Sequence, residues 1–195
     1  YYAKQDAEKL SGKGDTSQKL TLMKTSADSL KKSADALNDS SLWGKKKIKK
    51  KDEKTGEEIE VEDYDWNKIT KAVKSFVEDY NDVVKEAGES NTKDVLRNAS
   101  WMTGMTDKNS NMLAKIGITI GKGNKLELDE DALKQADISS LKTVFTGYNS
   151  FVSKISQKAT GISNAANRAS ATYTNNGTYS KTDSLLTSSK IDEEV

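Results

Sequence analysis

Residues 66–88 read WNKITKAVKSFVEDYNDVVKEAG, and the placing of their apolar side chains decides the fold. Trp66, Ile69, Val73, Phe76, Tyr80, Val83 and Ala87 follow one another at intervals of 3, 4, 3, 4, 3 and 4 residues. That spacing is the a/d seam of a coiled coil, one apolar stripe on an otherwise polar rod. Asp63 or Asp65 is placed to cap the start, and Gly88 to close the end. The same arithmetic holds upstream for Leu20, Met23, Ala27, Leu30, Ala34, Leu37 and Ser41, with Asp15, Thr16 or Ser17 as the cap. Neither rod can bury its stripe alone. Setting the small-residue stripe (Ala27, Ala34) against the bulky one (Phe76, Tyr80) is the simplest solution, in preference to a dimeric coiled coil.

Between the rods runs KKKIKKKDEKTGEEIEVED, residues 45–63. The basic half alone has the look of a nucleic-acid patch. Glu53-Lys54-Thr55-Gly56, however, makes a four-residue hairpin loop in which glycine supplies the left-handed position. That register sets Lys51 opposite Glu58, Lys49 opposite Glu60 and Lys47 opposite Glu62, with Ile48 meeting Val61 beside Ile59 on the other face. The lysines are therefore answered by glutamates of the same hairpin.

Beyond Gly88 the elements shorten. Thr92 is placed to cap a helix holding Val95, Leu96, Ala99 and Met102, expected to break near Gly104. A further helix from about Asp107 presents Met112, Leu113 and Ile116 and stops at Gly117. ITIGKGNKLELD then alternates apolar and polar residues around a glycine-asparagine turn, giving a second hairpin over 117–129. Asp129 caps a short helix with Leu133, and Ser139 or Ser140 begins another with Leu141, Val144 and Phe145, closed by Gly147. A long helix is expected from Tyr148 to Ala171, striped by Phe151, Ile155, Ile162, Ala165 and Ala169, interrupted by Lys158 and bent near Gly161. The rest is rich in serine, threonine and asparagine and reads as a polar tail, ordered only where Leu185 and Leu186 dock.

The expected organisation is thus a frayed segment over 1–15, a single helical domain over 16–171 and a tail over 172–195. The fold class is mainly α: an elongated antiparallel helical bundle with coiled-coil-like heptad helices and two small β-hairpins. The chain begins Tyr1-Tyr2 without methionine and is expected to be a trimmed form or fragment of a longer protein. No apolar run is long enough to insert in a membrane.

Chemistry is sparse. Cysteine, histidine and proline are absent, which removes thiolate and imidazole zinc sites, Ser-His triads and Cys-His pairs. GKGNK at 121–125 lacks the Walker spacing and falls in a hairpin turn. DEDALKQAD from Asp129 lacks the glycine and terminal glutamate of a calcium loop and suits an acidic helix start. Asp63 and Asp65 could imitate the acid pair of a carbohydrate-active enzyme, with Trp43, Trp66 or Trp101 as a platform, but capping and core packing are their ordinary roles. No catalytic, cofactor-binding or metal-binding residue is expected, and no cofactor.

From Phe76 onward the order of motifs resembles the C-terminal region of the flagellar filament-capping protein family (FliD, hook-associated protein two). The residues are FVEDYNDVV, VLRNASWM, LAKIGITIGKGNKLELDEDALKQA, LKTVFTG and FVSKISQKATGISNAANRA. Most specific is the stretch from Leu113 to Ala136, followed at a fixed distance by Val144-Phe145-Thr146-Gly147. The resemblance implies a non-enzymatic structural and assembly protein of the bacterial flagellum, exported to the cell exterior. Its partners would be flagellin or other flagellar axial proteins, with possible self-association, and neither nucleic acid nor membrane. A free-standing secreted surface adhesin is the alternative, and a carbohydrate-active enzyme the third reading.

The hairpin reading is open to a direct test. Titration of double-stranded DNA at about 50 and about 200 mM salt should show no tight, steeply salt-dependent binding; such binding overturns it.

Overall fold

The computed structural model describes the backbone of residues 14–177 and side chains as far as Thr172. Most of the expected frayed start and the tail from residue 178, with Leu185 and Leu186, lie outside the described residues. The elements in order are α1 (Ser17–Asn38), a 3₁₀ turn (Ser40–Trp43), β1 (Lys45–Lys51), β2 (Glu58–Tyr64), α2 (Trp66–Gly88) and α3 (Lys93–Lys108). They continue with α4 (Ser110–Ala114), β3 (Ile118–Ile120), β4 (Leu126–Leu128), α5 (Glu130–Gln135), α6 (Ile138–Phe145) and α7 (Phe151–Gly177). The chain is mainly α, with two two-stranded antiparallel sheets.

The heptad stripes are the core. Leu20, Met23, Ala27, Leu30, Ala34 and Leu37 of α1 are buried, as are Ile69, Val73, Phe76, Tyr80, Val83 and Ala87 of α2. Ser41 is exposed in the 3₁₀ turn, because α1 ends at Asn38, and Trp66 is half-buried. Thr16 caps α1, its Oγ1 accepting from the Lys19 N–H at 3.2 Å. Asp65 caps α2, accepting from the Lys68 N–H at 3.1 Å.

α1 packs on α2 as expected and has a second, unexpected partner. α1 lies between α2 and α7 and makes its more extensive contact with α7. Asp28 accepts from Ser163 Oγ at 2.6 Å and Asp35 from Ser156 Oγ at 2.7 Å, so α1 and α7 run antiparallel. Both ties recur at a heptad's separation, and Lys24 and Lys31 hold the same two carboxylates at 2.6 and 2.5 Å. α3 packs on α7 and on α2, completing an antiparallel four-helix arrangement of α1, α2, α3 and α7. The alternative partner for the bulky stripe of α2 is aromatic. Phe76 sits 6.3 Å from Tyr80 and 6.4 Å from both Phe145 and Phe151, and Phe145 stacks on Trp43 at 5.5 Å.

Three further expectations are corrected. α3 runs unbroken through Gly104, since one glycine costs only about 1 kcal/mol in a helix and Val95, Ala99, Met102 and Thr106 are buried along its length. α6 is capped by Asp137, which accepts from the Ser140 N–H, and not by Ser139 or Ser140. α7 starts at Phe151, later than the expected Tyr148, and continues past Ala171 to Gly177, helical also at Gly161. There a Cβ would stand 2.6 Å from Asn98 Oδ1, so glycine admits α3 at close range. Lys158 leaves the seam and lies 4.2 Å over the Trp101 ring.

Phe76 and Ile69 are completely buried. Truncation to alanine should cost about 3–5 kcal/mol at Phe76 and about 2–5 kcal/mol at Ile69. Chemical denaturation of the two variants measures this, and a double variant that melts like the parent would show the stripe is not the core.

Candidate functional site

The β1–β2 hairpin forms in the expected register: Lys47 faces Glu62, Ile48 faces Val61, Lys49 faces Glu60 and Lys51 faces Glu58. Gly56 takes φ +72°, a conformation that costs a glycine little, and so closes the loop. The nearest ion pairs are not the directly opposed ones. Lys49 reaches diagonally to Glu58 at 3.8 Å, and Lys50 reaches Asp63 at 2.5 Å on the other face. Both strands are exposed apart from Ile48 and Val61 and the root of β2, where Asp63 and Tyr64 are half-buried. At that root Ile48, Lys49, Lys50, Tyr64, Asp65, Trp66 and Asn67 line a shallow recess of about 240 Å³.

The second hairpin is anchored by one side chain. Asn81 of α2 donates from Nδ2 to the Leu126 carbonyl at 2.9 Å and accepts the Leu126 N–H on Oδ1 at 2.7 Å, imitating a neighbouring strand. Ile118 pairs with Leu128 and Ile120 with Leu126. Gly117, at φ +84°, leads into it where any Cβ would lie 2.6 Å from the Asp129 carbonyl oxygen. Gly123 and Asn124 of its turn join Val84, Gly88, Leu96, Ala99, Ser100 and Thr103 around another open recess of about 240 Å³. Its lining is aliphatic and small polar, without a titratable side chain, and so offers no acid or base.

The carboxylates that the sequence offers as chemistry have structural partners. Hydrogen bonds from Lys50 Nζ and the Tyr64 N–H hold the Asp63 carboxyl below the usual carboxylate range, the opposite of what a general acid needs. Asp65 caps α2, and Asp129 caps α5 through the amides of Asp131 and Ala132. The three tryptophans occupy separate surroundings. Trp43 is buried and donates to the Leu37 carbonyl, Trp66 meets Tyr64 edge-on, and Trp101 lies under Lys158. Among the described residues no group of three or more acidic side chains is gathered as metal ligands. No helix among them is long and apolar enough to cross a membrane.

One tie escaped the sequence altogether. Asp15, expected only as a possible cap, is 4% exposed and docks on the loop joining α2 to α3. It accepts from Ser90 Oγ at 2.6 Å, the Asn91 N–H at 3.0 Å, and the Thr92 N–H and Oγ1 at 2.9 and 2.7 Å. Lys19 Nζ stands 3.4 Å away and donates to the Glu89 carbonyl. Burial would push this carboxyl up, but the donors from Asn91, Ser90 and Thr92 outweigh it and hold it at about 2. The only sequence signal is a Ser-Asn-Thr run at a helix start, which on its own suggests nothing beyond a cap.

Paired helical stripes, an exposed charged hairpin and acids spent on capping define a helical packing module. Residues 90–193, more than half of the chain, match the family model described as the C-terminus of flagellar hook-associated protein 2. The chain belongs to that family of structural flagellar proteins. In the comparisons with curated proteins and with solved structures nothing matches the chain.

Asp15 gives a test with a sign. Its folded pKa is depressed, so its contribution is present above the unfolded value near 3.8 and is lost as pH falls toward about 2. Asp15→Asn should cost about 2 kcal/mol at pH 7 and much less near pH 2.5, read from urea midpoints of variant and parent. A difference that is unchanged by pH would show that the carboxylate charge is not what holds the loop.

Proposed function

We propose that this chain is a non-enzymatic structural and assembly protein of the bacterial flagellum, acting outside the cell at the growing filament in the manner of a filament cap that promotes flagellin assembly. The family match over residues 90–193 carries this reading. The geometry supports it, because the residues a catalytic reading would need are committed elsewhere: Asp63 to Lys50, Asp65 to a helix start and Trp43 to the core. We assign no catalytic, cofactor or metal-binding residue, and take residues 15–177 as one folding unit, since Asp15 is tied to the α2–α3 loop and α7 runs to Gly177. The proposed partners are flagellin or other axial proteins, together with further copies of the chain. They would meet the exposed hairpin and the apolar recess beside Leu96, not nucleic acid or the membrane interior.

Deleting the gene should leave cells that release unassembled flagellin into the medium and carry short filaments or none, with the parent gene restoring length. Filaments of normal length after deletion would remove the cap reading. Normal filaments with lost attachment to surfaces would point to a free-standing adhesin.

A further inference from the structure

A two-stranded sheet has two open edges, and in the β1–β2 hairpin they differ sharply in charge. β1 is KKKIKKK and β2 is EIEVEDY, and among the described residues no third strand joins either. The Asp52 N–H donates to the Glu57 carbonyl at 2.9 Å, which makes 52–57 a hydrogen-bonded pair. Alternation along an antiparallel ladder then turns the amides of Lys47, Lys49 and Lys51 outward on one edge, and those of Glu58, Glu60 and Glu62 outward on the other. The side chains of these six residues share one face of the hairpin.

We propose that this hairpin is a self-complementary docking edge, at which β1 of one copy of the chain pairs with the outer edge of β2 of a second copy. Charge selects the arrangement. β1 against β1 would set lysine opposite lysine, and β2 against β2 glutamate opposite glutamate, both unfavourable. Lysine on an edge strand ordinarily blocks edge-to-edge pairing, but here the strand that neutralises it is carried by every copy. Extending the sheet from β2 to the next copy's β1 repeats the register already formed within the hairpin, with Lys47 opposite Glu62, Ile48 opposite Val61 and Lys49 opposite Glu60. On the reverse face the strip of Ile48, Val61 and Ile59, the last 40% exposed, would continue from copy to copy. A contact between two different edges is heterologous, so it builds rings or open strings and not two-fold dimers. A seven-residue edge is a small interface, and the contact is accordingly weak and salt-sensitive. This names one self-contact within the assembly reading above and requires nothing of flagellin.

The chain has no cysteine, so introduced thiols react only with one another. Full-length Lys49→Cys and Glu60→Cys proteins, prepared separately and mixed under mild oxidation, should give disulfide-linked heterodimer about tenfold above the homodimer of either alone. The yield should drop several-fold between about 50 and about 500 mM salt. Homodimers as abundant as the heterodimer, or no linkage, overturn the proposal. A second background exchanges the remaining charges: Lys47→Glu and Lys51→Glu with Glu58→Lys and Glu62→Lys. Its hairpin keeps opposite charges across the strands, so its two cysteine proteins should link with each other yet not with the complementary parent-background protein; free mixing of the backgrounds also overturns it. Only the purified chain is present, so failure here leaves the flagellin reading standing. Linkage in a protein whose gene deletion leaves filaments intact would remove the cap reading alone.

Discussion

Everything in this fold depends on α1 having two faces to satisfy at once. Its apolar stripe is built from alternating large and small residues, and Ala27 and Ala34 keep the rod slender where α2 and α7 converge on it. α7 likewise mixes small and branched residues on its buried face, with Ala159, Ala165 and Ala166 beside Val152, Ile155 and Ile162. The seam is flanked by Asp28–Ser163 and Asp35–Ser156, repeated at the heptad interval. These carboxylates are about half exposed, so their ties to serine and lysine contribute modestly to stability. Their larger effect is on register. Sliding α7 by a turn would part both Asp–Ser pairs together.

The portion that carries the family likeness is not self-sufficient in this arrangement. The match begins at Ser90, whereas α7 makes its most extensive contact with α1, which lies upstream of it. Phe145 and Phe151 need Phe76 and Trp43, and β4 needs Asn81. The first residue of the match is also one of the donors that receive Asp15. The two halves are joined by a core, an aromatic cluster and a buried carboxylate, each of which has members on both sides of residue 90.

How much of this the sequence disclosed follows from how far apart the interacting groups are. Heptad stripes and hairpin registers are local patterns, and both hairpins and the buried positions of α1 and α2 were legible because period and turn chemistry suffice to set them. The caps were legible to within a choice of neighbours. Thr16 and Asp65 lie among the cap residues the sequence indicates, while Asp137 precedes two serines that could serve equally well as caps. Partner choice was not legible, since two stripes alone do not say that a third helix, more than a hundred residues on, will share one of them. The repeated SADSL and SADAL at 26–30 and 33–37, read against the Ile-Ser steps at 155–156 and 162–163, is the signal that could have matched α1 to α7. Asp15 could not be recovered by any periodicity, because its partners lie in a loop 75 and more residues away.

The aspartates in particular, part of a charge content that at first suggests a polyelectrolyte partner, are used within the molecule. Asp15 fastens a loop, Asp28 and Asp35 fasten a helix, Asp39, Asp65, Asp129 and Asp137 cap helices, and Lys24 and Lys31 answer their own acids four residues on. A side chain held as a cap is poorly placed to move a proton, since its role requires that it stay charged and stay put. The hairpin is where this economy ends. Its lysines and glutamates neutralise one another across the strands but leave both backbone edges open, and a charge pattern that satisfies a strand on one side satisfies an identical strand on the other. What this surface adds to its charge is therefore unfinished backbone hydrogen bonding: among the described residues no side chain of another element caps its edges as Asn81 caps β4, and a strand of matching charge pattern would complete an edge along its whole length.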